Sequence, residues 1–393
     1  MSLNDTPEGE RIHIGFFGMR NAGKSSLVNC ITGQETSLVS DIKGTTTDPV
    51  KKSMELLPLG PVTLIDTPGY DDDGKLGLLR IGRTKDVLKT CDIAVLVTES
   101  REPVPEEAEL IALIKERDIP LITALNKSGS PGPASEDPDI IPVNASTGEG
   151  IESLKERLAS VLKDREKKLR LVADFIAPGD RVVLVIPIDT SAPKGRLILP
   201  QQLAIRDILD AGAVSIVTGP DNLTETLNAS NASPALVITD SQIFSDVMKL
   251  VPEHIPLTSF SILMARYKGF LEEAVKGART VDSLEDGAKI LISEGCTHHR
   301  QCEDIGTVKL PRWLRKYTGK DLDLSFSSGH GFTDDPGQYD LIIHCGACML
   351  NDREMQSRME EAVRAGVPFT NYGTVIAHMN GILERSIKPV IKA

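Results

Sequence analysis

Long apolar runs, cysteine and net positive charge are what this chain has least of. The longest apolar stretch runs from Val182 to Ile188, far short of the roughly 20 residues that cross a bilayer. The opening segment, Met1 to Arg11, is polar and acidic rather than basic then apolar, so neither a membrane span nor a secretory signal is expected and the protein reads as cytoplasmic. Six cysteines in 393 residues are too sparse for a disulfide scaffold; four of them, Cys296, Cys302, Cys345 and Cys348, fall in the last quarter, a clustering that points to metal. Lys plus Arg number 44 against 56 Asp plus Glu, a net charge of −12, the wrong sign for binding nucleic acid through an overall field. What is present is an ordinary globular composition, 40% hydrophobic and 25% charged, which excludes a mostly disordered or fibrous chain. The length is enough for two or three domains.

The expected fold class is α/β throughout, in three domains: a doubly wound domain over residues 1–168, a middle module over 169–262 and a C-terminal module over 263–393. In the first, Arg11 to Phe17 reads as a strand entering a glycine turn and Gly23 to Ile31 as the following helix. Met54 to Leu57 and Val62 to Ile65 read as a hairpin, and Ile93 to Val97 and Leu121 to Leu125 as strands flanking the helix Glu106 to Glu116. An amphipathic helix from Ile151 to Leu169 closes the domain. The middle module repeats the rhythm, with strands at Val182 to Ile188, Val214 to Val217 and Ala235 to Ile238, and helices at Pro200 to Ala211, Leu223 to Ala229 and Ser241 to Leu250. It carries no reactive cluster and reads as a packing or oligomerisation module. The last module reads as one helix from Ser261 to Lys276, strands Lys289 to Ile292 and Asp340 to Ile343, and helices Asp352 to Arg364 and Val375 to Leu383. Both cysteine groups then lie just beyond the carboxyl ends of strands, where open α/β sheets place ligands.

Gly18-Met19-Arg20-Asn21-Ala22-Gly23-Lys24-Ser25 fits the G-x-x-x-x-G-K-[ST] phosphate loop in its required strand-to-helix context. Backbone N–H groups of such a loop curl around phosphate oxygens, Lys24 reaches the β and γ phosphates, and the Ser25 hydroxyl binds magnesium. Asp66-Thr67-Pro68-Gly69 follows at the end of the next strand pair, giving Asp66 to hold the magnesium through water and the Gly69 N–H to meet the γ-phosphate. These residues resemble the translation-factor-like GTPases, in the branch containing Era, EngA and the tRNA-modifying protein MnmE. The resemblance implies GTP and GDP as ligands, with Ser26 completing the loop contacts and Thr46 of Gly44-Thr45-Thr46-Thr47-Asp48 as the magnesium-binding threonine of switch I. It also implies that Asn21 helps hold a potassium ion in place of an arginine finger. Tyr70 stands where many GTPases have a water-orienting glutamine, so slow hydrolysis is expected. The base-recognition segment departs from the pattern: Asn126-Lys127-Ser128-Gly129 has glycine where an aspartate should meet guanine, leaving Glu136, Asp137 or Asp139 as stand-ins or a weakened discrimination. Asn144-Ala145-Ser146 takes the place of the loop whose alanine N–H faces the guanine oxygen, with Ala145 and Ser146 as contacts.

Cys296-Thr297-His298 and His344-Cys345-Gly346-Ala347-Cys348 form a C-x-H plus H-C-x-x-C set. Three thiolates with imidazoles alongside suit an iron–sulfur cluster or a tetrahedral zinc, and chemistry alone leaves the two open. The combination of a potassium-type GTPase domain, a middle α/β module and this C-terminal set resembles the HydF family of [FeFe]-hydrogenase maturation GTPases along essentially the whole chain. That resemblance implies a [4Fe-4S] cluster on Cys296, Cys345 and Cys348, with the fourth iron exchangeable and His298, His344 or Glu303 as its candidate ligand. It further implies a homodimer built by the middle module. The scaffold would receive a transient diiron precursor made with the radical-SAM enzymes HydE and HydG and deliver it to apo-hydrogenase, with no nucleic acid or membrane involved. The rival is an RNA- or ribosome-associated GTPase like Era or EngA with a zinc-stabilised C-terminal domain. The acidic balance and the lack of a G-x-x-G nucleic-acid loop in a basic C-terminal setting count against it.

Overall fold

The computed structural model describes residues 6–33, 48–70, 75–126, 137–163, 169–188, 197–229, 232–295, 304–329 and 331–391. Two compact units divide at Glu166 and Lys167.

In the first unit, β1 (Ile12–Phe17), α1 (Lys24–Thr32), β2 (Val50–Leu56), β3 (Gly60–Asp66), α2 (Lys75–Leu88), β4 (Ile93–Thr98), α3 (Pro105–Glu116), β5 (Leu121–Asn126), β6 (Ile140–Val143) and α4 (Ile151–Lys163) form a doubly wound domain. Its six strands run in the order β2-β3-β1-β4-β5-β6, parallel except for β2, which pairs antiparallel with β3 from Val50 opposite Asp66 to Leu56 opposite Gly60. β1 and β4 are buried almost from end to end, as apolar strands covered on both faces must be, whereas edge strand β2 alternates exposed and part-buried residues. The α4 helix is described to Lys163, short of the expected Leu169.

In the second unit, β7 (Arg181–Val185), α5 (Leu199–Asp210), β8 (Val214–Thr218), α6 (Leu223–Asn228), β9 (Leu236–Thr239), α7 (Phe244–Leu250) and β10 (Leu257–Ser259) build a parallel sheet ordered β10-β9-β7-β8. The chain continues through α8 (Phe260–Tyr267), α9 (Leu271–Arg279), β11 (Lys289–Glu294), α10 (Leu310–Thr318), β12 (Asp323–Ser328), β13 (Leu341–His344), α11 (Asp352–Arg364), β14 (Phe369–Asn371), α12 (Tyr372–Met379) and α13 (Leu383–Ile391). Its second parallel sheet is ordered β12-β11-β13-β14. One continuous apolar core joins Val182–Val185 and Leu236–Ile238 of the first sheet to Ile290–Ile292 and Leu341–Ile343 of the second. Buried Ile262, Leu263, Met264 and Ala265 make α8 apolar all round, and it packs on α5, α9, α12, α13 and β14.

Two expected helices divide. The run from Ser261 to Lys276 breaks at Gly269, whose φ of +80° is left-handed. There the Phe270 N–H returns to Ala265 O and the Gly269 N–H to Arg266 O, a glycine-terminated helix end. The run from Val375 to Leu383 ends in the same way at Gly381, with Ile382 N–H on Ala377 O, and α13 starts afresh at Leu383. Apolar spacing carries across both breaks, so periodicity alone joins what the glycines separate. The short strands β10 and β14 and the serine-rich β12 are additions for which periodicity gives little signal.

Candidate functional site: a phosphate loop and a cysteine loop

β1 lies between β3 and β4, so the loop leaving its carboxyl end opens at the point where strand order reverses. Gly18 and Gly23 hold φ of +141° and +92°. A Cβ on Gly18 would come 2.2 Å from Val97 O, and one on Gly23 2.2 Å from Asn126 Nδ2, so both positions require glycine. Asn21 between them is also left-handed, at φ +59°. Buried Lys24 donates from Nζ to Gly18 O at 3.1 Å and Met19 O at 2.8 Å, and Ser25 Oγ donates to Asp66 Oδ2 at 2.5 Å. Burial pushes the Asp66 carboxyl up, against the Ser25 hydrogen bond and the charges of Lys24 and Lys52, which pull it down. Asn126 ties two loops together: its Nδ2 donates to Ala22 O at 2.8 Å, and its Oδ1 accepts from the Ala145 N–H at 3.2 Å. The Ser146 N–H donates to Asn144 Oδ1.

Ala22 is buried, while Ser26 is half-buried in the first turn of α1 and Gly69 half-buried after β3. Thr46, Lys127, Gly129 and Glu136 lie outside the described residues. Of the possible stand-ins for the missing aspartate, Asp139 is taken by an ion pair with Arg157 at 2.8 Å, and Asp137 accepts from the Asp139 N–H.

Tyr70 sits in an apolar cluster with Phe17, Ile65, Val87 and Leu88. Its hydroxyl donates to Glu109 Oε1 at 3.0 Å, and desolvation with that carboxylate pushes its pKa up to about 12. The side chain at the position of the usual glutamine is thus part of the core, which the sequence does not reveal.

The second sheet of the second unit has its own reversal point between β11 and β13, since β11 leads towards β12 on one side and β13 towards β14 on the other. The described chain after β11 ends at Gly295, immediately before Cys296, and the loop after β13 carries Cys345 and Cys348. There the Gly295 N–H donates to Cys345 Sγ at 3.1 Å and the Ala347 N–H to the same sulfur at 3.4 Å, helped by a left-handed Ala347 at φ +54°. Burial pushes the Cys345 thiol up and these two N–H groups pull it back. Two dipoles aimed at one sulfur fit a thiolate that ligates a metal or cluster. Cys296, His298 and Glu303 lie outside the described residues, as do Cys302 and His299. Among the described residues no three His, Cys, Asp or Glu side chains form a metal cage.

His344 is fully buried behind this loop. Arg358, which has only donors, lies 3.0 Å from Nε2, so Nε2 accepts and Nδ1 carries the proton that it donates to Cys345 O at 3.1 Å. Burial and the Arg358 charge pull its pKa down to about 3. Both ring nitrogens are thereby committed in this arrangement. Arg358 also donates to Gly329 O at 2.7 Å and pairs with Glu354 at 2.6 Å. In the sequence this buried set shows only as the Glu354/Arg358 spacing of one helical turn.

Three family models match the chain: one described as a 50S ribosome-binding GTPase over residues 13–127, one as the hydrogen maturase F dimerization domain over 171–269, and one as the hydrogen maturase F tetramerization domain over 272–389. The tRNA modification GTPase MnmE of Thermus thermophilus is 31% identical over 159 residues, covering 39% of this chain and 34% of the relative. The GTPase Der of Sulfurimonas denitrificans is 37% identical over 127 residues, covering 31% of this chain and 26% of the relative. The chain thus spans about a third or less of the length of these curated relatives. Era in complex with MgGDPNP and a segment of 16S ribosomal RNA is similar at 21% identity with a TM-score of 0.34, covering 53% of this chain and 91% of that one. The first unit therefore contains a GTPase domain, the ordinary ligands of which are GTP or GDP with magnesium.

Proposed function

The chain belongs to the HydF family of hydrogenase-maturation GTPases, and from that premise we propose that it is a slow GTPase and scaffold for assembling the [FeFe]-hydrogenase cofactor. The observation that carries this reading is the order of the matched segments, a GTPase domain followed by two hydrogen maturase F domains, with the cysteine loop at a strand-order reversal of the last.

On this reading Gly18, Asn21, Ala22, Gly23, Lys24, Ser25 and Ser26 cradle the phosphates, and Ser25, Thr46 and Asp66 serve the magnesium. Asn126, Lys127, Ala145 and Ser146 meet the base, and Asn21 shares a potassium ion. Slow turnover is supported by Tyr70, which is held in the core by Glu109. Cys296, Cys345 and Cys348 would hold a [4Fe-4S] cluster, which would supply one iron open to an incoming ligand. The committed nitrogens of His344 leave His298 and Glu303 as the proposed donors for that iron. The cargo would be a diiron precursor made with HydE and HydG and passed to apo-hydrogenase, in the cytoplasm. Among the described residues no helix is long and apolar enough to cross a membrane.

Oligomerisation belongs to the same reading. Edge strand β8 leaves Val214 and Val217 about half exposed beside an unpaired strand edge, which suits pairing with a second copy of the chain.

The test is iron, acid-labile sulfide and zinc content of the full chain, purified and reconstituted without oxygen, beside Cys345→Ala. Near four irons and four sulfides per chain, lost in the variant, is expected. Stoichiometric zinc without sulfide would overturn the reading and favour the RNA-associated GTPase.

A further inference from the structure

We propose that α8 clamps the Cys345–Cys348 loop in shape and that Lys268, at the end of that helix, is its positioning residue. The proposal rests on reading that loop as the metal-binding one.

Lys268 is completely buried, yet its side-chain nitrogen must find polar partners there. Its Nζ donates to Leu350 O at 2.7 Å and pairs with Asp352 Oδ1 at 3.1 Å, at the first residue of α11. A buried cation cannot exchange these acceptors for water, so it fixes the groups it touches more firmly than a surface lysine would.

What it fixes is the far end of the cysteine loop. The Leu350 N–H closes a turn onto Ala347 O at 3.2 Å, and the Ala347 N–H in turn donates to Cys345 Sγ. The Leu350 side chain also fills the space above Gly295, where an added Cβ would lie 2.7 Å from Leu350 Cγ. The other donor to Cys345 Sγ is the Gly295 N–H. Both hydrogen bonds to the sulfur therefore depend on where Leu350 sits, one through the turn and one through packing.

The opposite end of α8 meets the same region. Ser261, in its first turn, accepts from Asn371 Nδ2 through its carbonyl at 2.8 Å. A Cβ on Gly346, inside the loop, would lie 3.9 Å from Ser261 Oγ. Helix α8 closes the segment matched by the dimerization model, while the loop lies in the segment matched by the tetramerization model. A residue of one segment thus sets the geometry of a loop in the other.

The experiment uses the full chain, first without iron and then reconstituted. Hydrogen exchange is followed in peptides spanning 345–351 and in those of β7, β11 and β13, together with iodoacetamide alkylation of Cys345 and Cys348. Lys268→Met fills similar space without the charge. The loop is expected to exchange and alkylate at least roughly fivefold faster, with the strands unchanged. Wild-type loop rates, or an equal acceleration in all three strands, would overturn the clamp.

Should Lys268→Met fail to fold, Asp352→Asn decides the matter, because it weakens the pair at a part-exposed residue: at least about a twofold rise confined to the loop supports the proposal, and no rise overturns it. In the reconstituted arm, the spectrum of the reduced cluster should change in Lys268→Met, and an unchanged one counts against the clamp. A wild-type chain that takes up no iron sinks the metal reading alone, since exchange and alkylation of the iron-free chain still judge the clamp.

Discussion

Lys24 keeps its buried ammonium on the Gly18 and Met19 carbonyls, held in the loop where phosphate oxygens are expected to meet it. Lys24→Ala should abolish phosphate release from GTP while iron and sulfide loading stays at the wild-type value, because the cysteine loop belongs to the other compact unit. Loss of loading as well would refute the modular picture. Tyr70 permits a test that needs no ligand. Its phenol is pushed from the usual 10 up to about 12, so between those values the unfolded chain ionises first and the native protein holds the extra proton. Stability from this group is full below about pH 10 and is lost as pH rises towards 12. Tyr70→Phe should flatten the alkaline fall of the urea-unfolding free energy and remove one late phenolate from the absorbance titration. It should also cost about 1 kcal/mol near neutral pH for the lost bond to Glu109. An unchanged alkaline slope would mean the phenol is not held as described. The phosphate-loop residues could be picked out from their spacing, because all of them sit within one short strand–loop–helix unit. The burial of Tyr70 could not, because Glu109 is 39 residues away.

At the scale of elements, close approach decides where the helices lie. A Cβ at Gly277 of α9 would fall 2.2 Å from Phe369 O, so the helix rests directly on the backbone of β14. Gly277→Ala gains helix propensity of at most about 1 kcal/mol, but it must push helix and strand apart, at a cost of about 1–3 kcal/mol. A lower thermal midpoint is expected, and a raised one would mean that α9 can slide. The strands β1, β4, β11 and β13 were legible as apolar runs because both faces are covered. The breaks at Gly269 and Gly381 were marked by glycine but hidden by apolar residues that continue on either side.

The scale of the whole molecule is that of assembly, since the second unit carries matched dimerization and tetramerization domains. β8 is an edge strand with half-exposed Val214 and Val217, and Leu209 of α5 is exposed too, an apolar margin that a lone parallel sheet would leave prone to association. Replacing Val214 and Val217 by Lys should shift the chain to a smaller species in sedimentation with an unchanged circular dichroism spectrum. A wild-type sedimentation profile would move the interface elsewhere.

The sequence by itself determined the doubly wound GTPase domain, its phosphate loop, and the cysteines placed after two strands, because these are written in local spacing and in residue types that few other structures require. Only the tertiary structure decided that His344 is committed to Arg358 and its own loop, that Tyr70 is a core residue, and that Lys268 reaches the carbonyl of Leu350. Those contacts join residues 14, 39 and 82 positions apart, and their partners are chosen by the packing of whole helices and sheets rather than by any pattern along the chain.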